Sequence, residues 1–144
     1  MDENNASLLG EHLKGLDRLH HIVAVLRGEQ GCPWDKRQSP TSLKKYLLEE
    51  CRELAEAIDK GDESEIRDEI GDVFFILAML TALFNEQQKF TVDDVFESIV
   101  AKMIRRHPHV FAGAAYVNEQ ELRDQWARIK LQELNQQLHV LEQT

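Results

Sequence analysis

The sequence predicts an all-α fold, an antiparallel bundle of about five helices that is completed by dimerisation. Apolar residues recur at helical spacing along most of the 144 residues, whereas 7 Gly and 3 Pro are too few to separate many short strands. The segment VFFILAMLTALF (73–84) is apolar nearly all round, so it must be covered on more than one side, in part by a second subunit. We expect a single domain over residues 1–144, with a core from about 8 to 136 and a polar C-terminal tail.

The first predicted helix is followed by a polar loop. Apolar residues at spacings of three to five between Leu8 and Leu26 indicate one amphipathic helix that ends near Gly28. The next 13 residues, 28–40, collect glycine, proline and polar side chains. Loops of that length in a compact domain are usually functional.

The second and third helices have clear capping signals. Ser39 followed by Pro40 predicts the start of a helix that ends before Gly61. Asp62 then caps a third helix that runs to about Glu86. The short connection predicts an antiparallel hairpin.

Two further helices are predicted in the last third of the chain. Thr91 with Asp94 resembles a capping box and begins a fourth helix, which stops at Pro108. Asn118 caps a fifth helix over residues 119–138, which fades into the polar tail.

Acidic residues lie within the apolar faces of helices two and three. Projecting the second helix at about 100° per residue places five residues on one apolar arc: Leu43, Leu47, Cys51, Leu54 and Ile58. Glu50 falls inside this arc and Glu53 at its edge. On the third helix Glu69 falls within the apolar stripe and Asp72 at its margin. In an antiparallel hairpin the two pairs converge.

Four converging carboxylates in a partly dry site repel one another, and a hard divalent cation removes that conflict. Oxygen-only ligands favour Mg²⁺, Mn²⁺ or Ca²⁺. A site that leaves coordination positions free for water and phosphate oxygens suits Mg²⁺ best, with Mn²⁺ as an alternative.

Composition narrows the class of partner and the compartment. The net charge of −9 disfavours a nucleic-acid ligand. Cys32 and Cys51 have no CxxC spacing, which predicts reduced thiols and a cytoplasmic protein. The N-terminus has no signal-peptide pattern, and the longest apolar run is too short to cross a bilayer, so we expect no membrane partner.

Three segments, in this order, resemble the MazG family of nucleoside triphosphate pyrophosphohydrolases: GCPWDKRQSPTSLKKYLLEECRELAEAI (31–58), EIRDEIGDVFFIL (65–77) and KMIRRHPHVF (102–111). The resemblance extends from about residue 16 to 130. It implies an all-α homodimer or dimer of dimers. It also implies hydrolysis of nucleoside triphosphates to the monophosphate and pyrophosphate by a water activated at Mg²⁺.

The resemblance also implies roles for single residues. It matches the two acidic pairs, Glu50, Glu53, Glu69 and Asp72, to the family's metal ligands and catalytic carboxylates. It matches Lys102 and Arg106 to basic positions near the triphosphate, and these two are also spaced i,i+4, so both can face one anion. Trp126 and Lys130 match a substrate-contacting pair, although Trp126 also falls on the apolar stripe of helix five.

Loop 28–40 offers three more candidates for substrate binding. Trp34 can stack on a base or close the pocket, or it can anchor the loop on the core. Lys36 and Gln38 are similarly open.

Three other functions remain compatible with parts of the pattern. The same site can serve a narrower substrate, such as dUTP, dCTP or phosphoribosyl-ATP. A ferritin-like di-iron bundle is disfavoured, because that site pairs Glu-x-x-His motifs and here the i+3 positions are Glu53 and Asp72. A helical interaction module without catalysis is the remaining alternative.

Overall fold

The structure is a computed structural model that describes residues 7–142. The all-α prediction is confirmed, and residues 7–142 contain no strand. The helices are α1 (Gly15–Arg27), α2 (Pro33–Lys36), α3 (Pro40–Lys60), α4 (Glu63–Glu86), α5 (Val92–Arg106), α6 (Pro108–Phe111) and α7 (Glu119–Glu142). The chain divides into two compact units, one ending at Val92 and the other beginning at Asp93.

The hairpin of α3 and α4 has the bounds that the sequence predicts. Ser39 caps α3 through a reciprocal box, in which its hydroxyl accepts from the Ser42 amide at 3.1 Å and its own amide donates to Ser42 Oγ at 2.9 Å. Gly61 ends α3 with a φ of 72°, a left-handed conformation that glycine adopts without strain. Asp62 accepts from two amides in the first turn of α4. A connection of two residues makes the helices antiparallel.

The core of the first unit forms where α1, α3 and α4 each contribute apolar side chains. Its buried members are Val23, Leu43, Ile76, Ala78, Met79 and Leu83. The predicted apolar arc of α3 is only partly buried, since Cys51 is exposed and Ile58 is 57% exposed. These two positions of the arc stay uncovered within the described helices, because α1 packs on α4 and α4 is the partner of α3.

The single first helix predicted from Leu8 onwards is broken in the structure. Residues 7–9 are helical, a turn follows, and α1 begins at Gly15. Gly10 and Gly15 both have a φ of +54°, which interrupts the helical hydrogen-bond ladder. Gly10 is also buried against the His21 ring, where a side chain would collide. The predicted end near Gly28 is confirmed.

The loop over 28–40 contains the one-turn helix α2. Arg27, whose side chain is 6% exposed, fixes this helix to the end of α4. Its Nε and one terminal nitrogen donate to the two carboxylate oxygens of Glu86 at 2.8 and 2.7 Å. The other terminal nitrogen donates to the Asp35 carbonyl at 2.5 Å. Through Arg27, at the end of α1, the loop is therefore attached to the end of α4.

The second unit contains α5, α6 and α7. The Asn118 side chain accepts from the Glu121 amide at 3.0 Å, which confirms the predicted cap of α7. The helix α7 continues to Glu142, four residues beyond the end at 138 that the sequence predicts. Residues 137–142 contain no glycine or proline and consist mostly of good helix formers. Within the described chain, no helix has the length and apolar content needed to span a membrane.

Candidate functional site

Three acidic side chains meet across the α3–α4 hairpin. Glu50, Glu69 and Asp72 each offer a carboxylate oxygen, and these oxygens all lie within 4.8 Å of one another. Glu50 and Glu69 are half-buried, and Asp72 is exposed. The structure thus brings together three of the four predicted ligands, from both helices. The fourth, Glu53, is not part of this group of three oxygens.

The hairpin turn explains why these positions meet. Glu50 lies 11 residues before Gly61, and Asp72 lies 10 residues after Asp62, so the two stand opposite each other in the antiparallel pair. By the same count Glu53 stands opposite Glu69. The two E-x-x-acid motifs are therefore in register because the turn between them has two residues.

The electrostatics of the cluster include all four carboxylates. Burial, followed by the charges of Asp72, Glu53 and Glu69, raises the pKa of Glu50. Burial, followed by the charges of Glu53 and Asp72, raises the pKa of Glu69. Glu53 is therefore close enough to repel both half-buried carboxylates. Its own charge is partly balanced by Arg52, at 3.7 Å.

One atom of the cluster is left without a partner. Glu69 Oε2 is buried and has no hydrogen-bond partner within the described residues. A buried carboxylate oxygen without a donor or cation is costly. The donor set contains oxygen atoms alone, which is the set that hard divalent cations prefer. The residues present fit such an ion.

The loop candidates lie on and after α2. Trp34 is 41% exposed, and its ring packs edge-on against Tyr46, with 5.5 Å between ring centroids. Lys36 Nζ donates to a loop carbonyl at 2.8 Å. The Gln38 amide donates to the Trp34 carbonyl and accepts from Ser42 Oγ at 2.6 Å. Lys36 and Gln38 thus stabilise the loop, while Trp34 leaves part of its ring open.

In the second unit, a cleft of about 550 Å³ lies between α5 and α7. Three of the predicted substrate contacts, Lys102, Arg106 and Lys130, line it. The predicted Trp126 stands beside them, since the Arg106 guanidinium lies 5.2 Å from the centroid of its ring. These positions therefore form one basic cleft, which is suited to bind an anion. The Trp126 ring lies against the Arg106 guanidinium beside it.

Sequence reasoning missed two residues that line the same cleft. Glu133 accepts hydrogen bonds from Arg105 Nε at 2.6 Å and from Arg106 at 2.7 Å. These bonds lower the pKa of Glu133 to about 2, and the bond from Arg106 makes the largest contribution. A signal existed, because Glu133 is seven residues after Trp126 and three after Lys130, on the same face of the helix.

The fold and the acidic cluster define an all-helical protein with a hairpin site suited to a hard divalent cation. A family model described as the MazG nucleotide pyrophosphohydrolase domain matches residues 38–111, which is 74 of the 144 residues. The chain belongs to this family. The match contains all four acidic positions, Lys102 and Arg106, whereas α7 lies beyond it.

Relatives and a solved structure agree with this membership. The chain is 40% identical over 117 residues to the nucleoside triphosphate pyrophosphohydrolase/pyrophosphatase MazG of Thermotoga maritima, covering 81% of this chain and 44% of that protein. It is 39% identical over 119 residues to the nucleoside triphosphate pyrophosphohydrolase of Escherichia coli, covering 82% and 45%. The chain thus spans less than half the length of these relatives. The crystal structure of a mazG-related protein from Thermotoga maritima matches with a TM-score of 0.67 and 27% identity, covering 79% of this chain and 97% of that one.

Proposed function

We propose that this chain hydrolyses nucleoside triphosphates to the monophosphate and pyrophosphate, with Mg²⁺ held by Glu50, Glu53, Glu69 and Asp72. The observation that carries the metal assignment is the buried, unpartnered Oε2 of Glu69 in a group of oxygen-only donors. The substrate class is supported by the family and by the activity named for the relatives in Thermotoga maritima and Escherichia coli.

The carboxylates have separate tasks in this proposal. Bound Mg²⁺ supplies positive charge to the phosphate oxygens and lowers the pKa of a water molecule. Glu50, which is half-buried in the hairpin beside the other carboxylates, is suited by its position to accept the proton of the attacking water. Glu53, on the same helix and less enclosed, is the alternative base.

The basic cleft of the second unit is suited by its charge to a polyphosphate anion. Lys102, Arg106 and Lys130 present ammonium and guanidinium donors, which match the oxygens of a polyphosphate. In the first unit, the exposed face of Trp34 is available for stacking on a base. Trp126 supports Arg106 rather than standing free.

The exposed apolar surface of the hairpin supports a homodimer, or a dimer of dimers. Ile70, Phe74 and Leu77 follow one face of α4 at i, i+4 and i+7, and each is 41–43% exposed. On α3, Leu48 and Ile58 are 62% and 57% exposed. A second copy of the hairpin would cover these faces by apolar helix packing.

The direct test is pyrophosphate release from a panel of nucleoside triphosphates with Mg²⁺, with EDTA as the control. The panel includes dUTP, dCTP and phosphoribosyl-ATP, so that a narrower substrate is recognised. We expect release with Mg²⁺ and none with EDTA. No release from any substrate, by protein that is folded and binds Mg²⁺, would contradict the proposal and favour an interaction module.

A further inference from the structure

Glu133 lies where two neighbouring arginines of α5 meet α7. Arg105 donates its Nε to Glu133 Oε1 at 2.6 Å, and Arg106 donates two N–H groups to Glu133 Oε2 at 2.7 and 3.2 Å. One carboxylate therefore engages both guanidinium groups. Such charge-assisted contacts have stricter geometry than an exposed ion pair.

The Arg106 side chain is fixed on two sides. It is 14% exposed and its partner Glu133 is 15% exposed, so solvent screens this pair weakly. On another side the guanidinium faces the Trp126 ring at 5.2 Å. Trp126 in turn packs edge-on against His107, at 5.0 Å between centroids. A side chain confined in this way has little rotational freedom.

The hydrogen bonds to Glu133 leave part of the guanidinium free for another anion. An arginine has five N–H donors, and Glu133 takes two of those on Arg106, both through Oε2. Arg106 lines the basic cleft together with Lys102 and Lys130. The remaining donors can therefore serve an anion in the cleft without breaking the ion pair.

We propose that Glu133 is a positioning residue of the basic cleft, which orients Arg106 for a polyphosphate anion. The inference rests on the proposed function for the nature of the anion. Glu133 itself does not contact the anion, because the two negative charges repel each other. The anion instead binds the donors of the Arg106 guanidinium that Glu133 leaves free. The role of Glu133 is to restrict the side-chain rotamers of Arg106 in the free protein, so that less conformational entropy is lost when the anion binds.

The test separates the effect of the charge of the Glu133 side chain from the effect of its length. Glu133→Gln removes the charge and places an amide donor against one of the arginines, whereas Glu133→Asp keeps the charge and shortens the side chain. Glu119→Gln is the matched control, because Glu119 pairs with Arg123 on the same helix at 3.6 Å and is 88% exposed. Thermal unfolding of each variant checks that it is folded at the assay temperature.

Binding of inorganic tripolyphosphate is measured by the fluorescence of Trp126 in a Trp34→Phe background, since the chain has two tryptophans. We expect both Glu133 variants to shift the Trp126 emission of the free protein. We expect both to weaken tripolyphosphate binding by about tenfold, with the control unchanged. In hydrolysis, the same variants should raise KM while kcat changes by less than about twofold.

Several results would overturn the inference. Tighter binding in Glu133→Gln with unchanged binding in Glu133→Asp would show a charge effect without positioning. Unchanged emission and binding in both variants, or no tripolyphosphate binding by the parent, would also exclude it. By contrast, intact and Glu133-dependent binding without any hydrolysis would contradict the proposed function alone.

Discussion

Glu50 on α3 and Glu69 on α4 offer carboxylate oxygens that lie within 4.8 Å of each other across the hairpin. Burial raises the pKa of both groups, and the charges of the other acidic residues add to it. Without a cation, two half-buried carboxylates at this distance oppose folding at neutral pH. The acidic cluster therefore destabilises the metal-free hairpin, and a bound metal ion would remove this destabilisation.

The first prediction concerns Glu69→Gln in the metal-free protein. A group whose folded pKa is raised stabilises the fold below its unfolded pKa, and this contribution is lost as pH rises through the folded pKa. At pH 7 the uncharged glutamine should therefore raise the Tm by a few degrees, measured in EDTA. Glu56→Gln is the control, because Glu56 is a 52% exposed acid of the hairpin whose charge is not among those that raise the pKa of Glu69. A Tm that falls in Glu69→Gln would contradict the electrostatic account.

The second prediction is a pH dependence with two opposite slopes in EDTA. As pH falls from neutrality, Glu50 and Glu69 take up protons before ordinary carboxylates do, because burial and the neighbouring acidic charges raise the pKa of both, and the Tm should rise. Below about 4.5 the Tm should fall, because Glu133, whose pKa is lowered to about 2, loses its bonds to the arginines. Glu86, lowered by its bond from Arg27, acts in the same direction.

The double variant Glu50→Gln, Glu69→Gln separates the two slopes. It should remove the rise on the upper side of the profile and leave the acid loss in place. An unchanged upper slope would mean that other groups produce it.

The third prediction concerns Arg27, which joins α2 to the end of α4. Arg27→Ala removes hydrogen bonds to Glu86 and to the Asp35 carbonyl. We expect a loss of about 2 kcal/mol in the free energy of unfolding, measured in urea. The control Arg52→Ala removes ion pairs of a 60% exposed arginine and should cost less than about 1 kcal/mol. Equal losses in both variants would show that the buried position of Arg27 adds nothing.

The fourth prediction tests the proposed homodimer. Phe74→Glu places a charge in the exposed apolar face of α4 and should convert the protein to a monomer, measured by light scattering after size-exclusion chromatography. Val117→Glu is the control, because Val117 is an 87% exposed side chain in a loop. A variant at position 74 that keeps the mass of the parent assembly would place the interface elsewhere.

The predictable part of the fold is the part that depends on local sequence. Ser39 and Gly61 determine where α3 begins and ends, and Asp62 determines where α4 begins, through contacts that span two to four residues. The hairpin and the register of its carboxylates therefore follow from the sequence. Gly10 was overlooked because a single glycine within an apolar helical pattern does not reveal its φ.

Contacts between distant positions account for most of what sequence reasoning missed. Arg27 and Glu86 are 59 residues apart, and Arg106 and Glu133 are 27 apart. No periodicity connects such pairs. Likewise, the apolar arc of α3 predicts a covered face at Ile58 but does not say whether the cover comes from the same chain.

The most direct test of the acidic metal centre is pyrophosphate release by Glu53→Ala and Asp72→Ala, with Glu56→Ala as the control. Glu53 and Asp72 are the outer members of the two acidic pairs, whereas Glu56 pairs with the exposed Arg52. We expect both outer variants to stay folded and to lose at least about 100-fold in rate with Mg²⁺, while Glu56→Ala keeps the parent rate. Full activity in either outer variant would contradict the assignment of the four carboxylates as metal ligands.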